Sequence, residues 1–409
     1  SLLKLSVNLL EILIIPKNSL KNILTIRYNP LEKTEFSGID SSYFSSTITD
    51  SNGILIEKLL QNSLKKIIPP KTKIINVSLS GGIDSTLTLA LIRKIYPSQK
   101  INCICGVFED GFNESAIAEK ISSQFNSNFQ TVKIGSLFTN MPEIVSITSK
   151  PKWNTYTHLI AKTAKKSGNL LITGDASDEI FAGYSFRYSK FLNLFQSNQN
   201  WKTKVKNYLE CHNRDWVPSQ TSLFHPSVKF DWNVIYNHFK PFFQNKLEPL
   251  QQVMLADFNG KLRYDFIPLI KSISEKYNLQ IKSPLLDPEI IEKGLQIPIN
   301  QKFNQKTKKG KLILRKIADR YKIPYLDDKQ GFSPGLIEDW FNNGRDICQN
   351  ILKDKKSYIY SKKIIDFNWV TKAMEKIDND GDIRYLHRIT SILALEIWFK
   401  VSVYKDVKT

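Results

Sequence analysis

The spacing of hydrophobic positions changes along the chain, and its middle part follows the pattern of a parallel sheet. Between residues 73 and 173, short apolar runs alternate with longer stretches in which apolar residues recur every three or four positions. Strands that alternate with helices in this way predict an α/β fold, with a parallel sheet sandwiched by helices. The predicted strands are 75–79, 101–108, 129–134 and 169–173, and the predicted helices are 86–95, 114–125 and 156–166.

The two ends of the chain carry other patterns. In the first 50 residues, the apolar runs 9–15 and 23–28 predict strands, and a stretch rich in serine and threonine predicts a linker. A helical pattern then covers 54–68 and stops at two prolines. After about residue 190 the strand pattern disappears. The helices predicted in this mostly helical C-terminal half are 250–257, 290–295, 311–320 and 386–403.

The composition excludes several classes of protein. The chain has 409 residues, of which 41% are hydrophobic and 24% charged, as in ordinary globular proteins. We therefore expect a folded chain rather than a disordered one. No run of about 18 apolar residues occurs, so we expect no membrane span. The first residues lack the pattern of a signal peptide, although the absence of an initial methionine leaves the natural N-terminus open.

A formal net charge of +19 suggests a nucleic-acid partner, because lysines on one face bind phosphates. Here the lysines are scattered. The densest run has no interleaved aromatic residue and consists of Lys306, Lys308, Lys309 and Lys311. We interpret most of the charge as a solvated basic surface. An anionic partner, nucleic acid included, stays open but is not favoured.

The cysteines predict a reducing, cytoplasmic location. The chain has four, and no two of them have the C-x-x-C spacing. Cys103 and Cys105 project from the same face of one predicted strand, where neighbours make a poor disulfide. We therefore expect buried free thiols, as in a reducing compartment.

The strongest motif stands where the first predicted strand of the sheet meets the next helix. Gly81 and Gly82 let the backbone bend and expose its amides. The hydroxyls of Ser80 and Ser85 add donors, and the helix N-terminus favours anions. Asp84 lies inside this anion site, which requires a bridging cation, so the loop predicts Mg²⁺ between Asp84 and phosphate. The loop lacks the lysine of a Walker A motif.

A second acidic motif follows the fourth predicted strand. Asp175, Asp178 and Glu179 place three carboxylates within five residues, directly after Gly174. Such a cluster at a strand end favours metal–phosphate binding or proton transfer over burial in a core. An acidic first turn of a helix is the simpler alternative, and the residues alone leave it open.

Together these motifs resemble those of a known family. The loop resembles the S-G-G-x-D-S loop of ATP-pyrophosphatase (PP-loop) enzymes, which holds the pyrophosphate of ATP. Residues 174–184 resemble the G-E-G-x-D-E-L-F-G-G-Y motif in the synthase domain of asparagine synthetases. Weaker matches follow in the family's order, namely 282–287 to R-x-P-F-L-D, 311–315 to K-x-x-L-R, 327–332 to R-x-K-x-G-F, and Leu393, Glu396 and Trp398 to L-x-x-E-x-W.

The resemblance implies an adenine nucleotide alpha-hydrolase-like fold and a role for each matching residue. The residues implied to hold ATP are Ser80, Gly81, Gly82, Asp84, Ser85 and Gly174, with the backbone of Val107 and Phe108 beside adenine. Asp84 and Asp178 would bind Mg²⁺. Lys329 would neutralise charge that develops at the α-phosphate or at the later tetrahedral centre, and Asp175 would handle the amine.

The resemblance also implies a division of the chain into three segments. We predict a short N-terminal remnant or linker (1–50), a nucleotide-binding α/β core (51–190), and a mainly helical part that completes the active site (191–409).

The implied reaction is ATP-dependent amide ligation. A carboxylate, small or peptidic, attacks the α-phosphorus of ATP, pyrophosphate leaves, and an amine then displaces AMP. Asp175 is one methylene shorter than the family's glutamate, and Ala176 and Ala182 replace glycines, so the acceptor pocket and aspartate as the substrate stay open.

The source of the amine is a separate question. Asparagine synthetases carry an N-terminal glutaminase domain that begins with a nucleophilic cysteine, whereas the first cysteine here is Cys103. We therefore expect free ammonia, a separate glutaminase subunit, or another amine, as in the similar β-lactam synthetases and lasso-peptide cyclases. The alternatives are a PP-loop tRNA-modifying enzyme and a catalytically altered subunit that works with a separate glutaminase.

Overall fold

A parallel sheet of five strands organises the protein. The structure is a computed structural model, and it describes residues 15–109, 113–153, 156–212, 217–327 and 335–406. All neighbouring strands pair in parallel, in the order β3-β2-β1-β4-β5. The strands are β1 (Ile74–Ser78), β2 (Lys100–Phe108), β3 (Asn128–Ile134), β4 (Leu170–Ile172) and β5 (Gln280–Lys282).

Helices cover the sheet and make up most of the remaining described chain. In chain order they are α1 (Lys17–Ile26), α2 (Ile54–Ile67), α3 (Ile83–Ile95), α4 (Ser115–Gln124), α5 (Leu137–Thr148), α6 (Thr157–Ser167), α7 (Ser177–Phe181), α8 (Ser185–Leu194), α9 (Trp201–Cys211), α10 (Gln220–Leu223), α11 (Asn233–Phe243), α12 (Pro249–Asp257), α13 (Ile267–Tyr277), α14 (Pro288–Gln296), α15 (Ile299–Lys302), α16 (Leu312–Arg320), α17 (Leu336–Asp339), α18 (Arg345–Leu352), α19 (Tyr358–Ser361), α20 (Phe367–Asp380) and α21 (Ile383–Trp398). Short 3₁₀ turns lie at Ser41–Phe44, Pro226–Val228 and Pro284–Leu286, and π-helical stretches lie at Phe258–Phe266, Trp340–Gly344 and Phe399–Val403.

The predicted fold class is confirmed, and so are the four predicted strands and the helices between them. Strand β1 is buried along its centre, as expected for a strand covered on both faces. Helix α3 is buried along most of its length, because it packs between the sheet, α2 and α16.

Three features differ from the sequence pattern. The run 23–28 is not a strand, because its apolar residues continue the helical spacing of α1, whereas the run 9–15 lies outside the described residues except for Ile15. Helix α5 lies between β3 and α6 and was not predicted. Strand β5 was also missed, because a strand of three residues with exposed ends carries no alternating pattern.

The order of the strands creates a crevice at the carboxyl ends of β1 and β4. Chain connections lead from the central β1 outward to β2 on one side, while β4 occupies the other side. The direction of winding reverses between β1 and β4, and ligands of open α/β sheets bind at the carboxyl ends of strands at such a switch point. The two sequence motifs follow these two strands, so the fold brings them to the same crevice.

The C-terminal helices form a second apolar cluster. Helix α21 is buried along most of its length and packs against α20, α5 and α1. All four cysteines are free and buried, as the sequence predicted. No helix among the described residues is long and apolar enough to cross a membrane.

Candidate active site

The loop after β1 has the geometry of an anion-binding turn. Gly81 adopts a positive φ of 73°, a conformation that favours glycine, and Gly82 begins α3 as its N-cap. The Ser85 hydroxyl lies 3.2 Å from the backbone nitrogen of Ser80 and 3.2 Å from the Ser80 hydroxyl. The loop is therefore closed on itself by its two serines, with the N-terminal turn of α3 behind it.

Asp84 connects the first motif to the second. The Ser177 hydroxyl donates to Asp84 Oδ1 at 2.6 Å, so α7 and α3 meet at this carboxylate. A Cβ placed on Gly174 would lie 2.9 Å from the Cβ of Asp84, which explains why only glycine fits at the end of β4. Gly174, predicted to bind ATP, thus permits the close approach of the two motifs.

Asp84 and Asp178 converge on one cationic side chain. The Nζ of Lys311 lies 2.6 Å from Asp84 Oδ2 and 2.8 Å from Asp178 Oδ1. Burial alone would lower the pKa of Lys311, but the facing carboxylates outweigh burial and raise that pKa above its usual value. The sequence suggested no role for Lys311 or Ser177. The only signal for Lys311 was its place in the weak K-x-x-L-R match.

Asp175 lies in the same crevice and is half-buried. Burial raises the pKa of Asp175 above the usual range for aspartate, and the charges of Asp84 and Asp178 raise it further. The Thr173 hydroxyl opposes this shift by donating to Asp175 Oδ2 at 2.6 Å. The Ser283 hydroxyl donates to the carbonyl oxygen of Asp175 at 2.8 Å. A carboxylate with a raised pKa is a stronger base than an ordinary aspartate and is therefore suited to accept a proton.

A buried polar network stands behind the second motif. Burial, with the neighbouring charge of Asp178, raises the pKa of Glu179 to about 7, while the Tyr184 hydroxyl donates to Glu179 Oε1 at 2.6 Å. The Arg187 guanidinium lies 3.7 Å from the centre of the Tyr184 ring and 3.2 Å from Asp257 Oδ2. This network connects the chain that follows the second acidic motif to α12.

The predicted adenine contacts lie at the same edge of the sheet. Strand β2 continues past the end of β1, because its pairing with β1 stops at Ile104 and its pairing with β3 runs to Phe108. Val107 and Phe108 therefore lie beyond the carboxyl end of β1, and the centre of the Phe108 ring lies 4.7 Å from that of Tyr156, in an edge-on contact.

The predicted catalytic lysine, Lys329, lies outside the described residues. The chain just before Lys329 contacts the glycine–serine loop 80–85, since Leu326 N donates to Gly81 O at 2.9 Å. Asp327, which stands where the family motif has arginine, forms ion pairs with Lys309 and Arg315. Hydrogen bonding from Lys309 lowers the pKa of Asp327. Part of the lysine run interpreted as solvated surface therefore borders the crevice.

The donor set fits a divalent cation bound together with phosphate. Asp84 and Asp178 converge on one ammonium and supply two hard oxygen ligands. The described residues contain no group of three or more metal-ligating side chains. Mg²⁺ commonly takes one or two carboxylates and completes its coordination with water and substrate phosphates, which two converging aspartates would allow.

Two alanines of the second motif adopt strained backbone conformations. Ala176 has φ 76° and Ala182 has φ 59°, at positions where the family motif has glycine. A left-handed conformation costs a residue with a Cβ about 1 kcal/mol or more relative to glycine.

We expect Ala176→Gly to leave the free energy of unfolding unchanged or to raise it by up to about 1 kcal/mol, because relief of strain offsets the lost methyl. The matched control is Ala373→Gly, a buried alanine within α20, which should lower stability by about 1 kcal/mol. Urea denaturation monitored by circular dichroism measures both. Equal losses in the two variants would contradict the strain at Ala176.

A family model matches most of this chain. The model of the family described as asparagine synthase matches residues 55–400 of this chain. Asparagine synthetase (glutamine-hydrolyzing) 1 of Bacillus subtilis (strain 168) is 24% identical over 372 residues, which cover 80% of this chain and 56% of that protein. The chain thus spans little more than half the length of this relative.

Two similar solved structures share few identical residues with this chain. The U34-tRNA thiolase NcsA from Methanococcus maripaludis is 12% identical, with a TM-score of 0.28, and the match covers 84% of this chain and 80% of the thiolase. The NH₃-dependent NAD synthetase from Campylobacter jejuni is 15% identical, with a TM-score of 0.23, and the match covers 49% of this chain and 99% of the synthetase.

Proposed function

The chain belongs to the asparagine synthase family, and we propose that it is an ATP-dependent carbon–nitrogen ligase that forms AMP and pyrophosphate. The observation that carries this proposal is the meeting of two motifs at one crevice. A closed glycine–serine loop and two converging aspartates lie beside Asp175, a half-buried aspartate with a raised pKa. These features supply phosphate binding, metal binding and proton transfer within one site.

The first chemical step that we propose is adenylation. The loop from Ser80 to Ser85 holds the phosphates with its amides and hydroxyls, and the substrate carboxylate attacks the α-phosphorus. The bond from this phosphorus to the bridging oxygen breaks, and pyrophosphate leaves. Asp84 and Asp178 would hold Mg²⁺, which supplies neutralisation of phosphate charge. The helix N-terminus of α3 adds a fixed positive field at the same place.

The second step is attack by the amine. Its nitrogen attacks the acyl carbon of the adenylate, AMP leaves, and Asp175 accepts the proton that the nitrogen loses. The position of Asp175 beside the proposed metal-binding carboxylates supports this role, and its raised pKa makes it a stronger base than an ordinary aspartate. Lys329 is proposed to neutralise the charge that develops during these steps.

The substrates are proposed by class. One is a carboxylate, small or peptidic, and the other is ammonia or another amine, either free or delivered by a separate glutaminase subunit. Four free buried thiols are consistent with a reducing compartment, and we propose the cytoplasm.

The test is pyrophosphate release from ATP in the presence of panels of carboxylates and amines, beginning with aspartate and ammonium. Ligase activity predicts release that depends on one carboxylate, with AMP as the other nucleotide product. Carboxylate-independent hydrolysis to ADP, or no pyrophosphate from any combination, would contradict the proposed function.

Lys329→Ala is expected to reduce kcat by about 100-fold or more while ATP binding is retained, because a cation that neutralises transition-state charge contributes little to ground-state binding. Lys356→Ala, at an exposed lysine, is the control and should behave as wild type. Steady-state kinetics together with equilibrium ATP binding separate the two effects. An unchanged kcat would show that Lys329 has no catalytic role.

A further inference from the structure

The ammonium of Lys311 lies between two carboxylates, in the position where a divalent metal would bind. The side chain of Lys311 is only 12% exposed, and its Nζ contacts Asp84 and Asp178 at 2.6 and 2.8 Å. Two carboxylates therefore share one monovalent cation. Carboxylates that converge on a single point also form the arrangement that a divalent cation requires.

The surrounding backbone holds Lys311 in this position. Its backbone N–H donates to the carbonyl oxygen of Phe181 at 3.0 Å. A Cβ at Gly310 would lie 2.0 Å from the carbonyl oxygen of Ala182, and a Cβ at Gly183 would lie 2.2 Å from Lys311 Cε. Neither glycine has room for a side chain, so both permit the approach of the ammonium to the crevice.

Lys311 differs from the surface lysines of this chain. Lys376 and Asp380 form a typical exposed pair, with side chains 42% and 55% exposed, and such pairs contribute little to stability. Lys311 is largely shielded from solvent and has two anionic partners instead of one. When one charge of a buried pair is removed, the partner charge is left uncompensated, which is strongly unfavourable. A site without Lys311 would therefore attract another cation.

Resting on the proposed function, in which metal and ATP act together, we propose that Lys311 is a built-in counter-cation of the metal site. Its ammonium neutralises Asp84 and Asp178 when no metal is bound, and a divalent metal reaches these carboxylates by displacing it. The nucleotide favours this exchange, because its phosphates add negative charge that attracts both cations. Metal and nucleotide therefore bind cooperatively, and the metal alone binds weakly.

The test uses Mn²⁺ as the probe and the full chain, first without and then with nucleotide, and free Mn²⁺ is measured by electron paramagnetic resonance. Lys311→Met is expected to bind Mn²⁺ about tenfold more tightly than wild type or more, because the positive charge that Asp84 and Asp178 share in the wild type is removed. A non-cleavable nucleotide, α,β-methylene ATP, should tighten Mn²⁺ binding in wild type by a larger factor than in this variant. Lys376→Met is the matched control and should bind Mn²⁺ as wild type does.

Two further variants keep the test decisive. Lys311→Gln removes the charge but keeps a hydrogen-bond donor for the carboxylates, so it preserves the fold if methionine does not, and it should show the same tightening. Adding Asp178→Asn to Lys311→Met should abolish the gain. If neither neutral variant binds Mn²⁺ more tightly than wild type, or if nucleotide does not affect Mn²⁺ binding in wild type, the counter-cation role is wrong.

This measurement needs no turnover, so its failure and the failure of the proposed ligase are distinguishable. The expected Mn²⁺ shifts without pyrophosphate release from any carboxylate would refute the ligase and retain the counter-cation. Pyrophosphate release without the Mn²⁺ shifts would refute the counter-cation and retain the ligase.

Discussion

Asp84→Asn is expected to lower carboxylate-dependent pyrophosphate release by about 1000-fold or more, because this change removes a proposed metal ligand from the phosphate site. Asparagine keeps the shape of the side chain and can still accept the hydrogen bond from Ser177. The variant also retains Asp178 as a partner for Lys311. We therefore expect loss of chemistry with little loss of stability.

The measurement for Asp84 is the exchange of labelled pyrophosphate into ATP, which reports adenylation without the amine step. Circular dichroism and thermal unfolding establish that the variant is folded. Asp380→Asn, an exposed aspartate paired with Lys376, makes the same chemical change outside the crevice and should leave the exchange intact. Full exchange activity in Asp84→Asn would eliminate the proposed adenylation mechanism.

Asp175→Asn should separate the two halves of the reaction. Asparagine cannot accept a proton, so amide formation is expected to fall by about 100- to 10,000-fold, the usual range for removal of a general base. Adenylation does not use this group, so pyrophosphate exchange should persist. Amide formation and pyrophosphate exchange are measured on the same preparation. Equal loss of both activities would assign Asp175 to nucleotide binding instead.

The pH dependence of the amine step gives an independent reading of Asp175. The group is active as the carboxylate, so the rate should fall as the pH decreases through its pKa. Burial and neighbouring charges raise that pKa, which places the acidic limb above the usual range for aspartate. The Thr173 hydroxyl lowers it, so Thr173→Val should move the limb to higher pH. A limb that does not move would mean that another group controls the profile.

The difference between aspartate at 175 and the family's glutamate bears on the acceptor pocket. The backbone at this position is fixed, since the Ser283 hydroxyl donates to the carbonyl oxygen of Asp175 and Ala176 follows in a strained conformation. A carboxylate that is one methylene shorter on a fixed backbone leaves more space towards the crevice. This space is consistent with an acceptor other than the family's usual one, which the substrate panel would identify.

Much of the fold could be predicted from the sequence, because its signals are local. The apolar runs of β1 to β4 and the helices between them follow periodicities that a buried parallel sheet imposes on its own residues. The phosphate loop is equally local, since its glycines, serines and aspartate lie within six residues at a strand–helix junction. The exceptions are β5, α1 and α5, a helix of 12 residues that contains Pro142. Strand β5 has three residues, and the run 23–28 predicts a strand because it shows only the last apolar residues of α1.

The sequence by itself determined the chemical groups of the site: a phosphate loop, a cluster of aspartates and the family resemblance that links them. Only the tertiary structure decided which groups meet. Strand β4 pairs with β1, and this contact joins Asp84 to the second motif although 93 positions separate Asp84 from Ser177. Lys311 is 227 positions from Asp84, in a lysine run that the sequence presented as ordinary surface charge. Local periodicity carries no information about such distant contacts, because they depend on how strands and loops pack together in three dimensions.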